Sequence, residues 1–556
     1  MKILILGGYG SFGGRLVQLL ADEPRLTLIV AGRSLPKATA FCAGIVGRAQ
    51  RVPMAFDRDG DVAALLDAAA PDLLVDASGP FQNYGADPYR VVRAALARGI
   101  HYLDLADGAG FVAGIDAFDA AARERGVFVL AGASTYPVLT AAAVRRLAHG
   151  MDRIETVAAG IAPSPYAALG ANVIRAIASY AGQPVQRRDH RGRREGIAFV
   201  ETRRYTIAPP GCVPLANRRF SLVDAPDLAA LPLLWPELRS VWVGVAPVPE
   251  VLHRALNTLA LLVHWRWLPS LAPLAPLVHG TNRRLRWGEH RGGMFVAITG
   301  LARDGRSAAR SWHLLAEGDD GPFIPAMAAT VIIGGLLTGR RPRPGARAAL
   351  CDLELADYEA LFAARAIATG CRDDAAAKDA PLYRRLLGDA WALLPPPLQR
   401  LHDLVGAFAA EGVATVERGT NPLARVIAAI MGFPPAGRDI PVRVSFRAER
   451  GSELWRRDFA GRRFASRQVA GRGRLERLLI VRFGSLAFRF ALVVEGGRLR
   501  LVPRGWSAFG LPLPRWAAPS GDAYEFAADG RFHFHVEIRM PLIGRIVHYR
   551  GWLEPV

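Results

Sequence analysis

Two groups of residues near the start of the chain have the types and spacing to bind a dinucleotide. The first is Gly7, Gly8, Gly10 and Gly13 in the run GGYGSFGG. Glycines at this spacing let backbone turn sharply and pass close to phosphate, because no Cβ stands in the way. Gly8 is read as the tight turn, Gly10 as the approach to a pyrophosphate, and Gly13 as the point where helix packs on strand. Tyr9, Ser11 and Phe12 complete the loop, which opens the N-terminus of a helix and so offers free N–H groups to an anion. The second group is Arg33, Ser34 and Lys37 in VAGRSLPK. An Asp or Glu that would hold a ribose 2′-hydroxyl is missing there, and a guanidinium in its place can pair bidentately with a 2′-phosphate. The expected cofactor is therefore NADP, with NAD as the alternative. Groups for the reaction itself must come from loops after the strands: Tyr84, His101, Tyr102, Asp104, Asp107, Ser134 and Tyr136. Tyr84 and Asp107 are the catalytic candidates, because their loops follow strands near the point where the strand order reverses. Ser78, Gly79 and Pro80, in the first of those loops, join the cofactor-binding set. No Ser-His-Asp, Cys-His or paired-carboxylate arrangement stands out.

These groups need a scaffold. Residues 3–6 are an unbroken apolar run, as in a strand buried on both faces of a parallel sheet. Leu16, Val17, Leu19 and Leu20 give the next segment a helical apolar face, and residues 26–31 form a second buried strand. Strand, glycine turn, helix and strand make a βαβ unit with the glycines where that unit needs them. The pattern continues with strands at 51–56, 72–76 and 127–130, a strand with its loop within 99–107, and helices at 62–69, 89–98 and 115–125.

The chain has 556 residues, too many for one core, so several domains are expected. The formal net charge is +20, and lysine occurs only at Lys2, Lys37 and Lys378, so arginine supplies nearly all of it. Residues 1–150 carry 15 basic and 14 acidic side chains, whereas residues 381–556 carry 27 and 15. A basic C-terminal part can rest on an anionic membrane surface; nucleic acid is not expected. Cys42, Cys212, Cys351 and Cys371 are scattered without metal-type spacing, which fits a cytoplasmic protein, with peripheral contact at the inner membrane face as an option. The apolar stretch 252–278 is interrupted by His264, Arg266 and prolines, so no spanning helix is expected there. An interfacial helix anchored by Trp265 and Trp267 is one reading, and a buried helix pair the other.

The blocks GGYGSFG, VAGRS, VDASGPFQNYG, ALARGIHYLDLADG and VFVLAGASTYPVLTAAAV resemble those of saccharopine-dehydrogenase-like NAD(P)-binding proteins, related to saccharopine reductases and trans-acting enoyl reductases. The resemblance covers about residues 1–145. It implies a Rossmann domain and an inserted α/β domain carrying the substrate site and often a dimer contact. The chain departs from the family at 133–137, where ASTYP replaces a GFDSVP-like sequence.

The expected architecture is α/β: a Rossmann doubly wound parallel sheet (1–135), then an inserted α/β mixed-sheet domain (136–320) with a helix at 168–181 and a basic hairpin tip at 187–194. A return segment (321–368) follows, with a helix at 326–338 and a strand and helix within 350–368. A linker (369–380) leads to an α+β C-terminal domain (381–556) with a curved antiparallel sheet. That last part alternates over nine short runs between 442 and 553, and PLYRRLLGDAWALLPPPLQRLH, RGTNPLARVIA and PLIGRIVHYRGWL resemble a bacterial domain of unassigned function that commonly follows such modules. His533, His535, Glu537 and His548 share a strand face and offer a metal alternative, although the interleaved Phe532, Phe534, Val536 and Ile538 account for the pattern as a half-buried strand. A ligand cavity within the curved sheet is a further option.

The function expected is NADP-dependent oxidoreduction, with hydride transfer to or from a small hydrophobic carbonyl, imine or enoyl substrate; a homodimer is an option. The alternative is a non-catalytic NADP sensor or scaffold whose basic C-terminal module binds a partner or an anionic membrane.

Overall fold

In the computed structural model, which describes residues 1–167, 170–247, 249–284 and 287–556, the N-terminal strands stand side by side and parallel. They are β1 (Lys2–Leu6), β2 (Thr27–Gly32), β3 (Gln50–Ala55), β4 (Leu73–Asp76), β5 (His101–Asp104) and β6 (Phe128–Ala131). The order is β6-β5-β4-β1-β2-β3, so the sheet reverses between β1 and β4. Ile3, Leu4 and Ile5 and, on the neighbouring strand, Leu73, Leu74 and Val75 have no solvent exposure, the state that apolar runs without polar alternation predict.

The inserted domain holds β7 (Met151–Ala162), the hairpin β8 (Pro184–Asp189) and β9 (Gly192–Ile197), then β10 (Thr202–Ile207), β11 (Leu215–Leu222), β12 (Ser240–Val245), β13 (Arg291–Ala302) and β14 (Ser307–Glu317). The basic stretch 187–194 thus spans the two strands of a hairpin and its tip. The helix Ala171–Tyr180 covers most of the expected 168–181; residues 168 and 169 of that expectation lie outside the described residues. The main sheet runs β10-β11-β12-β7-β13-β14 and then β16 (Ile367–Asp373). It is mixed, because β12 lies parallel to β7 while β13 runs antiparallel to it, and it curls into a half-barrel.

The return segment differs from its sequence reading in two places. Its strand, β15 (Gly345–Ala348), lies within the arginine-rich stretch before residue 350 and extends the parallel sheet beside β6. The sequence GARA has no apolar run, so local pattern could not reveal it. The segment read as a linker, 369–380, opens with the last five residues of β16. The helix Ile324–Leu337, by contrast, matches the expected 326–338.

By its internal contacts the chain divides into two units: residues 1–204 with 219–368, and residues 205–218 with 369–556. In the second unit the strands are β17 (Ala407–Arg418), β18 (Gly437–Glu449), β19 (Ser452–Phe459), β20 (Arg462–Ala470), β21 (Leu479–Phe483), β22 (Leu486–Glu495), β23 (Arg498–Ala508), β24 (Leu511–Leu513), β25 (Ala523–Ala528), β26 (Arg531–Met540) and β27 (Gly544–Pro555). They follow the order β22-β21-β20-β19-β18-β17-β27-β26-β25-β23, and β22 also pairs with β23. The ring closes, so the curved sheet expected from sequence is a ten-stranded antiparallel barrel. The strand that the sequence reading lacked is β17, AFAAEGVATVER, whose alanines carry little strand propensity. Phe446, Trp455, Phe459, Phe532, Phe534 and Tyr549 fill the interior, and closure leaves fewer unpaired edges.

Candidate functional site

The glycine loop runs from the end of β1 into the helix Gly13–Leu20. Gly7 takes φ +76°, so the left-handed turn falls on Gly7 and not on Gly8 as the motif suggests. Gly8 is still required, since a Cβ there would stand 2.8 Å from the Ile5 carbonyl oxygen. A Cβ on Gly13 would come 2.3 Å from the Gly7 carbonyl oxygen, which is the close helix-to-strand approach that glycine permits. Gly10 meets only the Gly7 carbonyl oxygen, at 3.0 Å, and is otherwise open to a ligand. Gly7 and Gly8 donate their N–H groups to the Ala31 carbonyl, which ties the loop to the end of β2.

That end carries Arg33, Ser34 and Lys37. Tyr9 packs its ring on Gly32, and its hydroxyl accepts a hydrogen bond from the Ser34 N–H at 3.0 Å. Arg33 and Lys37 are exposed. Among the described residues neither has a carboxylate partner. A Cβ on Gly7 would lie 2.7 Å from the Ala77 carbonyl oxygen, so the loop bearing Ser78, Gly79 and Pro80 stands directly beside the glycine loop. Ser11 and Phe12 are half-buried, and Ser11 lies against Gly170, at the start of the inserted helix Ala171–Tyr180. The glycine loop is thus held against the end of β2 through Ala31 and the Tyr9–Ser34 bond, and against the 77–80 loop through Ala77 and Ser78. A cradle that any Cβ would fill and an uncommitted guanidinium beside it fit a dinucleotide carrying a 2′-phosphate.

The two catalytic candidates are placed differently. The Tyr84 hydroxyl lies 2.8 Å from Ser78 Oγ and 3.3 Å from both oxygens of Asp76. Its ring packs on Phe81 and Phe111, with the Arg58 guanidinium also over the ring. Burial, and after it the Asp76 carboxyl, raises the phenol far above its usual range. The hydroxyl is thus a neutral donor that anchors the loop. Asp107 keeps an exposed edge, and its Oδ1 accepts from Gln82 Nε2 at 3.1 Å, which clamps the two strand-end loops together. Crowding by protein raises its pKa.

Two residues of the inserted domain join Asp107 and were not found from sequence. Asp224 is raised by burial and then by the charge of Asp107. Tyr180 is raised by burial and then by both carboxylates. Asp107, Asp224 and Tyr180 therefore share one electrostatic neighbourhood at the far end of the helix that starts beside Ser11. Ten residues of helix span about 15 Å. No local motif announces Asp224 or Tyr180, because their proximity to Asp107 depends on how the inserted domain folds back.

The remaining polar candidates serve the scaffold. His101 Nδ1 accepts from the Phe128 N–H, and its ring stacks on Phe128. The Tyr136 hydroxyl donates to the Gly244 carbonyl at 3.1 Å. Tyr102 and Ser134 are buried. Asp104 is fully buried, and its Oδ1 accepts from the N–H groups of Gly132, at 2.7 Å, and Ala106, at 3.0 Å. Burial pushes its pKa up to about 7, with Asp76 on the neighbouring strand adding to the shift.

In the barrel, Glu537 is engaged by Arg539 and Arg545, and His548 faces Glu417. Among the described residues no three His, Cys, Asp or Glu side chains are grouped to hold a metal ion, and no helix is long and apolar enough to cross a membrane. The stretch 252–278 forms the helix Glu250–His264 and part of a second, Ala275–Arg284, while Trp265 and Trp267 stand exposed between them.

Residues 3–130 match the family model described as the saccharopine dehydrogenase NADP binding domain. Residues 394–553 match a domain of unknown function, DUF4166. Among solved structures, apo saccharopine dehydrogenase (L-Glu forming) from Saccharomyces cerevisiae aligns at 12% identity and a TM-score of 0.47, over 67% of this chain and 99% of its own. A mutant meso-DAPDH from Clostridium tetani E88 aligns at 12% identity and a TM-score of 0.32, over 64% and 95%. None of the curated proteins is significantly similar to this chain. The chain thus joins a saccharopine dehydrogenase NADP-binding domain at its N-terminus to a DUF4166 domain at its C-terminus.

Proposed function

We propose that the protein is an NADP-dependent oxidoreductase acting on a carbonyl, imine or enoyl group. The observation that carries this reading is the exposed, uncommitted Arg33 beside a glycine loop with no room for any Cβ at Gly7, Gly8 or Gly13. When bound, the nicotinamide supplies or accepts a hydride. The protein's own residues do the rest. Gly10, which leaves room for a ligand, and the positive dipole end of the helix Gly13–Leu20 receive the pyrophosphate, and Arg33, with Lys37, receives the 2′-phosphate. Tyr84, held by Asp76 and Ser78, fixes the 77–85 loop. Asp107 is the proton donor: its raised pKa keeps more of it protonated near neutrality than an ordinary carboxyl, and Gln82 orients it. Asp224, itself raised by burial and then by the charge of Asp107, lies in the same neighbourhood, and Tyr180 offers a neutral hydroxyl to the substrate.

The test is Arg33→Asp. A charged hydrogen bond contributes about 1.5–3 kcal/mol, so NADPH should bind at least about tenfold more weakly while NADH is unaffected. Equal loss for both, or for neither, removes Arg33 from the 2′-phosphate site.

A further inference from the structure

The two ends of the barrel are built from different residues. At one end the hairpins turn through Arg450-Gly451, Gly496-Gly497 and Asp529-Gly530, polar or glycine turns of the usual kind. The other end is formed by the helix Pro422–Ile430 between β17 and β18, and by the turns β19–β20, β21–β22, β23–β24 and β26–β27. There large apolar side chains face water. Phe509, Trp516 and Leu542 are 84%, 79% and 104% exposed, and Leu423, Val426 and Ile430 form one exposed stripe on the helix. Phe509 and Leu542 also sit at φ +50° and +65°, a conformation in which bulky side chains are strained. Asparagine or glycine would fill those turns without strain. The sequence instead places an apolar side chain at the tip.

Arginines surround these tips. Arg425, Arg438, Arg462, Arg482 and Arg515 are exposed, and none has a carboxylate partner among the described residues. The acidic residues nearby are mostly engaged: Glu417 by Arg545, Asp458 by Arg463, and Glu537 by Arg539 and Arg545. Asp439 is exposed beside Arg438.

We propose that this end of the barrel docks onto an anionic lipid bilayer, with Phe509, Trp516, Leu542 and the helix stripe entering the headgroup boundary and the arginines meeting lipid phosphates. An apolar face rimmed by arginine suits such a surface, and Trp favours the interface itself. Each arginine near an anionic membrane contributes roughly a fivefold gain in partitioning. A second copy of the chain is a poor occupant, because a two-fold contact would bring the same uncompensated arginines together.

The experiment is flotation of the full-length protein with vesicles of phosphatidylcholine alone or with about one-third phosphatidylglycerol, at low and high salt. The wild type should float with anionic vesicles, and less so at high salt. Phe509→Ser/Trp516→Ser/Leu542→Ser should lower partitioning at least tenfold, and Arg425→Glu/Arg438→Glu should do the same on anionic vesicles only. Leu393→Ser/Val405→Ser, at exposed apolar positions away from this end, should float like the wild type. All these sites are exposed, and unchanged circular dichroism verifies folding. The proposal is overturned by no flotation of the wild type, by flotation of the triple variant equal to wild type, or by loss of flotation on Trp265→Ser/Trp267→Ser instead. A triple variant that shifts from dimer to monomer would assign the face to self-association and likewise overturn it.

Discussion

Replacing Asp104 with Asn should stabilise the first unit at neutral and alkaline pH. Asp104 is fully buried; its Oδ1 takes two backbone N–H groups, and its Oδ2 has no partner. Burial and Asp76 hold its pKa at about 7, against about 3.9 in an unfolded chain. Between those values the folded protein keeps a proton that the unfolded chain releases, so stability falls as pH rises from about 4 to 7. One such group contributes a slope of about 1.4 kcal/mol per pH unit, or up to about 4 kcal/mol across the window. Asn keeps the acceptor for Gly132 and Ala106 and does not titrate. The variant should match the wild type near pH 4 and exceed it by up to about 4 kcal/mol at pH 8, in urea unfolding followed by far-UV circular dichroism. Asp104→Ala, which orphans both N–H groups, should be less stable than Asp104→Asn at every pH by about 1–3 kcal/mol per group. An Asn variant less stable than wild type at pH 8, or with an unaltered pH slope, would refute the reasoning.

Three further expectations follow from the site and the barrel. Gly13→Ala puts a methyl 2.3 Å from the Gly7 carbonyl oxygen, so it should cost about 1–3 kcal/mol and abolish dinucleotide binding in a fluorescence titration. Asp107→Asn should lower kcat about 100-fold or more with any substrate that supports NADPH oxidation, leave NADPH affinity within about twofold, and remove the loss of activity as pH rises through the raised Asp107 pKa. In the barrel, His402 is fully buried, stacks on Tyr383 and lies 2.6 Å from Glu525. His402→Ala should cost about 2–4 kcal/mol in barrel unfolding, with NADPH binding unchanged.

The parts legible in the sequence are those fixed by local chemistry. Residues 3–6 and 72–76 read as strands because burial on both faces removes polar residues, and the glycine loop reads as a phosphate cradle because only glycine fits there. The parts missed depend on distant partners. GARA at 345–348 is a strand only because β6 offers an edge. The alanine-rich β17 is a strand only because β18 and β27 flank it. The pairing of β22 with β23 that closes the barrel has no signature in either strand. Asp224 and Tyr180 meet Asp107 only through the inserted domain, and Tyr84, a plausible donor by position, turns its hydroxyl inward because Asp76 and Ser78 wait there.

On the function proposed here, residues 7–37 bind a dinucleotide and Arg33 selects its 2′-phosphate. Titration of the full-length protein with NADPH, NADH and their oxidised forms, read by nicotinamide fluorescence and by calorimetry, tests it most directly. NADPH should bind tightly, and NADH at least about tenfold more weakly. Equal affinity for NADH and NADPH would contradict the role of Arg33, and no binding of either would reduce the glycine loop to architecture.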